Sequence, residues 1–300
     1  MRFVEVADRV WVARFEFLDV SVGLVGGERG LLMVDTNASE AAGRAAIDEA
    51  ARLGVGRVVA AFNTHHHFDH CFGNVVLAEE YDAQLVCHED AAAVMVERGR
   101  ELQDEARRWA EHPESSDDPA DATPEMVRRH REIAETRIVV PATTFSSARA
   151  FDLGDRTVEL LHPGRGHTAG DAVLRVGDAD VVFAGDLVEE SALRGGVPGF
   201  GADCYPLEWP GTLDFVIGLL TGSSVVVPGH GAPVGKEFVD DQRGDVGVVA
   251  ETIRDLAMRG VPAAEALASA EWPYAREELG FAVERGYAQL PRSLRQLPLL

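Results

Sequence analysis

Short apolar stretches separated by glycine and polar turns recur along most of the chain and predict β-strands. Alternation with a period of two indicates a strand with one face in the core, whereas an unbroken apolar run indicates a strand covered on both faces. Residues 9–14 and 20–25 alternate and are expected to pair, and the run 58–62 is suited to a strand covered on both faces. The predicted strands are residues 9–14, 20–25, 31–34, 58–62, 84–87, 138–140, 148–151, 157–161, 172–176, 181–184 and 224–227.

Segments rich in alanine and charged residues lie between these strands and predict helices. The first is expected over residues 39–53, with Ser39 as its N-cap and with Gly54 and Gly56 ending it. The predicted helices are residues 39–53, 75–81, 91–110, 124–135, 213–220 and most of 240–287, with breaks at 260–262 and 272–273. Two sheets packed face to face with helices outside would satisfy this order of elements.

Residues 90–137 interrupt the alternation of strands and helices. They are rich in Ala, Glu and Arg and predict two helices joined by a polar loop over residues 111–119. Three interpretations of this helical insertion stay open: a lid, a contact between subunits of a homodimer, or a solvated surface addition.

The charge of the chain argues against a polyanionic partner. Its 300 residues carry 50 acidic and 28 basic side chains, which gives a formal net charge of −22. Such a field repels nucleic acid at long range and offers no basic surface for counterion release. We therefore expect a small-molecule substrate and no nucleic acid.

Cysteine usage and the hydrophobic pattern point to a soluble, cytoplasmic protein. The three cysteines, Cys71, Cys87 and Cys204, are far apart and form no Cys-x-x-Cys pair, so we expect no disulfide framework. Residues 1–12 carry charges throughout and lack the pattern of a signal peptide. No apolar run approaches the length that spans a membrane, so no membrane partner is expected.

Three histidines and an aspartate of metal-binding type fall within six positions directly after the strand 58–62. In an extended segment, His65 and His67 point the same way and can hold one ion, while His66 points elsewhere. Asp69 and His70 are adjacent at a turn into a helix and can address a second ion.

Three further candidate ligands, His167, Asp186 and His230, lie in or beside glycine-containing loops near the ends of predicted strands. The two oxygens of Asp186 can bridge a pair of ions. With that bridge, the first ion is expected on His65, His67 and His167, and the second on Asp69, His70 and His230. The donor sets suit two divalent ions, with zinc preferred and iron or manganese as alternatives.

The order His65-x-His67-x-Asp69-His70, His167, Asp186, His230 resembles the metallo-β-lactamase superfamily over about residues 5–235. The resemblance implies an αββα four-layer sandwich formed by a single domain over residues 1–300. It would have a helical insertion at 90–137 and a helical C-terminal extension at 240–300. Asp35 matches a position that supports the metal loop in this family.

The resemblance implies a zinc-dependent hydrolase of the glyoxalase II and lactonase branches. Zinc β-lactamases of the commonest subclass have cysteine where this chain has Asp186, so β-lactam hydrolysis is not the expected native activity. We expect a metal-bridging hydroxide to attack an ester, thioester, lactone or amide carbonyl, and Asp69 to orient the hydroxide and relay a proton.

Three other classes of function stay open. A persulfide dioxygenase with one iron uses a similar scaffold with fewer ligands, and a phosphodiesterase needs a cationic track that this acidic chain does not suggest. A noncatalytic binding module is the third. The tail over residues 240–300 is not distinctly basic, which argues against glutathione thioesters as the specific substrate.

Several other residues have competing interpretations. His66 is expected to contact backbone or solvent, His88 and His162 to be structural or to support the metal ligands, and His112 and His130 to lie on the surface. Cys71 is expected to be a small buried side chain. The glycine-rich segment 194–205 has two interpretations. It either places Phe200, Tyr205 or the following Trp209 against a substrate, or it is only a connecting loop.

Overall fold

The computed structural model describes residues 2–115, 122–192 and 195–291. The chain divides into two compact units, Met1–Glu159 and Leu160–Leu300. Whether the whole chain forms a single domain stays a prediction.

A sheet flanked by helices forms the first unit. Strands β1 to β4 pair antiparallel in order, and β4 to β7 pair parallel in order. The strands of this unit are β1 (Val4–Ala7), β2 (Val10–Phe15), β3 (Val20–Gly27), β4 (Gly30–Val34), β5 (Val58–Phe62), β6 (Gln84–His88), β7 (Thr143–Phe145) and β8 (Ala148–Asp152). Strand β9 (Thr157–Leu161) contains the point of division.

The helices of the first unit are α1 (Glu40–Arg52), α2 (Phe68–Cys71), α3 (Asn74–Glu80), α4 (Glu89–Glu111) and α5 (Pro124–Glu135). Helix α1 begins where predicted, since the Ser39 side chain accepts a hydrogen bond from the Ala42 backbone N–H. The all-apolar strand β5 lies between β4 and β6 in the parallel part of the sheet, as its composition predicts.

The second unit contains a further set of strands with helices packed on it. Its strands are β10 (Val173–Val176), β11 (Val181–Glu189) and β12 (Val225–His230), where β10 and β11 are antiparallel and β11 and β12 are parallel. Its helices are α6 (Trp209–Gly218), α7 (Lys236–Met258), α8 (Ala263–Ala266) and α9 (Gly280–Gln289). Trp209 is fully buried in the core between strands and helices.

Residues 138–140, predicted as a strand, form none, and that prediction is wrong. Pro141 follows them and has no N–H for a sheet ladder, which pairs instead at β7. The apolar side chains that suggested a strand are used for packing instead: Ile138 and Val140 lie against the core under α4.

Strands β11 and β12 extend further than predicted, with a consequence for the ligands. Asp186 lies within β11 rather than after it, and His230 is the last residue of β12. The left-handed backbone of Gly185, with φ of 54°, and the register shifts on either side of it bend β11 at this point. The apolar pattern predicts that the strand ends before Gly185, because Gly185 and Asp186 interrupt the run of apolar residues.

The helical insertion and the helical tail are both present. Helices α4 and α5 pack on their own core with Met95 and Ile133 buried, so the insertion is more than a solvated addition. Its role as a lid or as a dimer contact stays a prediction. Residues 116–121 of its loop and 292–300 of the tail lie outside the described residues. Within the described part of the chain, no helix is both long and apolar enough to cross a bilayer.

Helix α1 approaches the turn before α3 so closely that two glycines are required. A Cβ on Gly43 would lie 2.6 Å from Gly73 Cα, and a Cβ on Gly73 would overlap the Thr36 carbonyl. This contact seats α1 directly over the segment that leads out of the histidine cluster.

We predict opposite effects for two helical glycine substitutions. Gly43→Ala should lower the free energy of unfolding by roughly 1–3 kcal/mol because the methyl group overpacks the contact with Gly73. Gly244→Ala, in α7 with open space around the glycine, should raise it by up to ~1 kcal/mol through helix propensity. Urea denaturation measures both, and equal midpoints for the two variants would contradict the close packing.

Candidate metal centre

The histidine segment of the first unit leaves the sheet directly after β5 and is withdrawn from water. His65 and His70 are almost fully buried, and His67 is half-buried. The rings of His65 and His67 have their centroids 4.7 Å apart, with a nitrogen of each within 4.8 Å of the other. This is the same-side placement that the i, i+2 spacing predicts.

Asp69 and His70 lie on the single turn of helix α2, as predicted. The Asp69 Oδ2 and His70 Nε2 atoms are 3.6 Å apart. The structure thus brings together the four candidate ligands of the first unit: His65, His67, Asp69 and His70.

Asp35 supports this segment, as the family resemblance implies. Its carboxylate accepts hydrogen bonds from Thr64 N at 2.8 Å and from Thr64 Oγ1 at 2.9 Å, and it lies 2.8 Å from His70 Nδ1. Burial raises the pKa of the Asp35 carboxyl, while His70 and Thr64 oppose the rise. The carboxylate therefore orients His70 and holds the backbone that precedes His65.

Further polar residues that sequence reasoning missed hold the carbonyl of His70. Asn63 Nδ2 donates to it at 2.8 Å and Thr36 N at 2.9 Å, and Asn74 joins Asn63 through a second hydrogen bond. All three residues are buried; Thr36 and Asn63 follow the ends of β4 and β5, and Asn74 is the first residue of α3. For Thr36 and Asn63, the position just after an apolar strand is the signal that could have indicated them.

Asp186 lies between two histidines of the second unit. Its Oδ2 atom is 3.4 Å from His167 Nε2 and 3.2 Å from His230 Nε2. Ligand atoms bound to one tetrahedral zinc ion at about 2.0–2.2 Å lie roughly 3.3–3.6 Å from each other. The distances from Asp186 Oδ2 to these two histidine nitrogens are therefore those expected between atoms that bind the same ion.

A close backbone approach makes room for that carboxylate. A Cβ on Gly229, one residue before His230, would overlap the Asp186 Oδ1 atom. Strand β12 can therefore pass beside Asp186 only because position 229 has no side chain.

The Nδ1 atoms of two histidines are already engaged. His167 Nδ1 lies 2.7 Å from the Gly199 carbonyl, which only an N–H can satisfy, and His70 Nδ1 faces the Asp35 carboxylate. Each ring then has its lone pair on Nε2, the atom that can bind a metal ion. Imidazole nitrogens of this tautomer together with carboxylate oxygens are donors that suit zinc, so the residues present fit a divalent metal.

Other histidines and the cysteines have structural roles. His66 is buried, which excludes solvent, one of the two environments predicted for it. His88 is also buried, with Nε2 2.8 Å from the Ser146 carbonyl and with Nδ1 accepting from Asp90 N at the start of α4. His162 Nδ1 lies 2.7 Å from the Asp171 carbonyl. His112 is exposed, as predicted, whereas His130 is half-buried and stacks on Trp109.

The cysteines are buried and form no disulfide, as expected. Burial raises the pKa of Cys71 and raises the pKa of Cys87 and of Cys204 to about 12, so these thiols stay protonated at neutral pH.

The aromatic residues of the glycine-rich segment pack inward. Phe200 and Trp209 are buried with ring centroids 5.1 Å apart, which favours packing over contact with a substrate. Tyr205 is half-buried under the guanidinium of Arg165. Arg194 lies outside the described residues.

The chain belongs to the metallo-beta-lactamase superfamily, whose family model matches residues 16–230. The match includes all seven candidate ligands. The chain is thus an enzyme of this superfamily with histidine and aspartate clusters that could hold a metal ion, and the predicted α/β fold class is confirmed.

Among curated proteins, the human acyl-coenzyme A thioesterase MBLAC2 is 29% identical over 240 residues, which are 79% of this chain and 78% of that protein. A type 2 metallo-beta-lactamase of Bacillus cereus is 30% identical over 91 residues, 30% of this chain and 35% of that protein. The structure of a metallo-beta-lactamase from Pontibacter korlensis covers 82% of this chain, and the match spans 98% of that protein, with a TM-score of 0.60 and 19% identity.

We predict that Asp35→Ala destabilises the metal-free protein by roughly 1–3 kcal/mol, because Thr64 and His70 lose a buried acceptor. Asp152→Ala removes an exposed carboxylate that pairs with Arg29 and should change stability by less than ~1 kcal/mol. Urea denaturation of both variants measures the difference. An Asp35→Ala midpoint equal to that of Asp152→Ala would show that Asp35 does not hold the segment.

Proposed function

We propose that this chain is a dinuclear metal-dependent hydrolase that cleaves acyl thioesters. The observation that carries the proposal is the Asp186 carboxylate, whose Oδ2 atom lies at ligand spacing from both His167 and His230. The proposed ligands of the first ion are His65, His67, His167 and Asp186, and those of the second are Asp69, His70, His230 and Asp186. Zinc is the proposed metal.

Two divalent ions held by these side chains would lower the pKa of a water molecule towards ~7 and polarise the substrate carbonyl. Residues of the chain are proposed to orient the histidine ligands and to transfer the proton. Asp35 and the Gly199 carbonyl hold the rings of His70 and His167 in the tautomer that offers Nε2. Asp69, buried beside His70, is proposed to accept a proton at its carboxylate and pass it to the departing group.

The thioester is chosen because of the relative that spans most of the chain. The human thioesterase named above aligns over nearly four-fifths of this sequence, whereas the Bacillus cereus β-lactamase aligns over less than a third. The aspartate at position 186 also differs from the cysteine of the commonest zinc β-lactamases. Both features favour an acyl thioester over a β-lactam as the substrate.

The metal assignment predicts a difference between two single variants. The wild-type protein should bind about two zinc ions per chain, and Asp186→Ala should lose tight binding of the pair because both ions lose a ligand. His112→Ala, at an exposed histidine outside the ligand set, should keep both ions. Elemental analysis after gel filtration measures the metal, and an Asp186→Ala protein with two ions would refute the assignment.

The substrate assignment predicts a ranked panel. An acyl-coenzyme A thioester should be hydrolysed with a kcat/KM at least ~10-fold above that for a lactone, a β-lactam or a phosphodiester of similar size, a difference of about 1.4 kcal/mol. A chelator should abolish this activity and added zinc should restore it. A phosphodiester preferred over the thioester would overturn the assignment. So would one iron per chain with oxygen consumed on a glutathione persulfide.

A further inference from the structure

Glu189 is a buried carboxylate at the end of strand β11, three residues after Asp186. The residue is 7% exposed. Burying a carboxylate is costly unless hydrogen bonds compensate for the lost water. Its contacts therefore show what the residue is for.

Two hydrogen bonds, one to the N–H and one to the carbonyl of Gly199, connect Glu189 to His167 through the backbone of that glycine. Gly199 N donates to Glu189 Oε1 at 2.6 Å, and the Gly199 carbonyl lies 2.7 Å from His167 Nδ1. The same glycine thus contacts the buried carboxylate on one side and the histidine on the other. The position of that carbonyl decides where the ring of His167 points.

The segment that supplies the carbonyl has no regular structure of its own. Residues 195–208 contain no helix or strand, and Gly195 and Gly196 have left-handed backbones with φ of 63° and 80°. No sheet ladder or helical turn within this segment satisfies the Gly199 N–H, and buried backbone groups need such partners. Glu189 supplies the partner from the rigid end of β11.

The end of β11 is itself held from two directions. Glu189 N donates to Gln242 Oε1 at 3.1 Å, and Gln242 Nε2, on helix α7, donates to the Leu187 carbonyl at 2.9 Å. Glu189 also lies opposite His230 in the register of β11 and β12, and Glu190 N donates to the His230 carbonyl at 3.0 Å. Because the end of β11 is held in place, the carboxylate at position 189 can hold Gly199, in the segment 195–208, at a fixed position relative to the strand.

We infer that Glu189 is a positioning residue for His167, an inference that rests on the proposed metal function. Through Gly199, it fixes the carbonyl that keeps the proton on His167 Nδ1 and directs Nε2 towards Asp186. Neither the family match nor the ligand motifs assign this role to position 189.

Three variants of the full-length protein test the inference. Glu189→Ala removes the acceptor, whereas Glu189→Gln keeps an oxygen that can accept from Gly199 N. Asp180→Ala is the matched control, since Asp180 precedes β11 at its other end and accepts hydrogen bonds from Thr221 and Ser224. It should lower stability without reaching His167.

Two measurements are made on each protein. In the metal-free protein, ¹⁵N NMR of labelled histidine reads which nitrogen of His167 carries the proton. Competition with a chromophoric chelator then reads the affinity for zinc. We expect Glu189→Ala to lose the Nδ1–H form of His167 and to bind zinc roughly 10-fold more weakly. Glu189→Gln and Asp180→Ala should match the wild type in both measurements.

The inference is overturned if Glu189→Ala matches the wild type in both measurements, if Asp180→Ala shows the same losses, or if Glu189→Gln fails to rescue. A wild-type protein that binds no zinc would refute the proposed function instead. The tautomer of His167 would then still decide whether Glu189 positions that ring.

Discussion

The exclusion of water from imidazoles and carboxylates is the constraint on which the rest of this structure depends. Asp35, His65 and His70 are buried side chains whose polar atoms would each favour solvent. The structure tolerates them because hydrogen bonds hold each one in a defined orientation. In the second unit, His167 and Asp186 are under the same constraint. Backbone groups at the strand ends supply some of these hydrogen bonds, and glycines leave room for the buried side chains.

Much of the fold could be read from periodicity. The run 58–62 predicts β5 at its exact bounds, and Ser39 predicts the start of α1, because both signals are local. The failure at 138–140 has a nonlocal cause. Ile138 and Val140 pack against the core under α4 and Val139 against the core beside α1 and α3, and an apolar pattern cannot tell that packing from a strand.

The candidate ligands were more accessible to sequence reasoning than the residues that hold them. His65, His67, Asp69 and His70 stand out by density and spacing. Glu189 does not, because it acts through the backbone N–H of Gly199, a contact that no residue type or spacing marks. Such contacts exist only after the chain has folded, so no local motif records them. The inward packing of Phe200 and Trp209 was missed for the same reason.

The glycine at position 229 has an evolutionary consequence. Every other amino acid would place its first side-chain carbon where the carboxylate of Asp186 lies. Position 229 is therefore restricted to glycine for as long as that acid is kept. Any change of specificity has to come from other positions, because this one cannot vary without disturbing the acid.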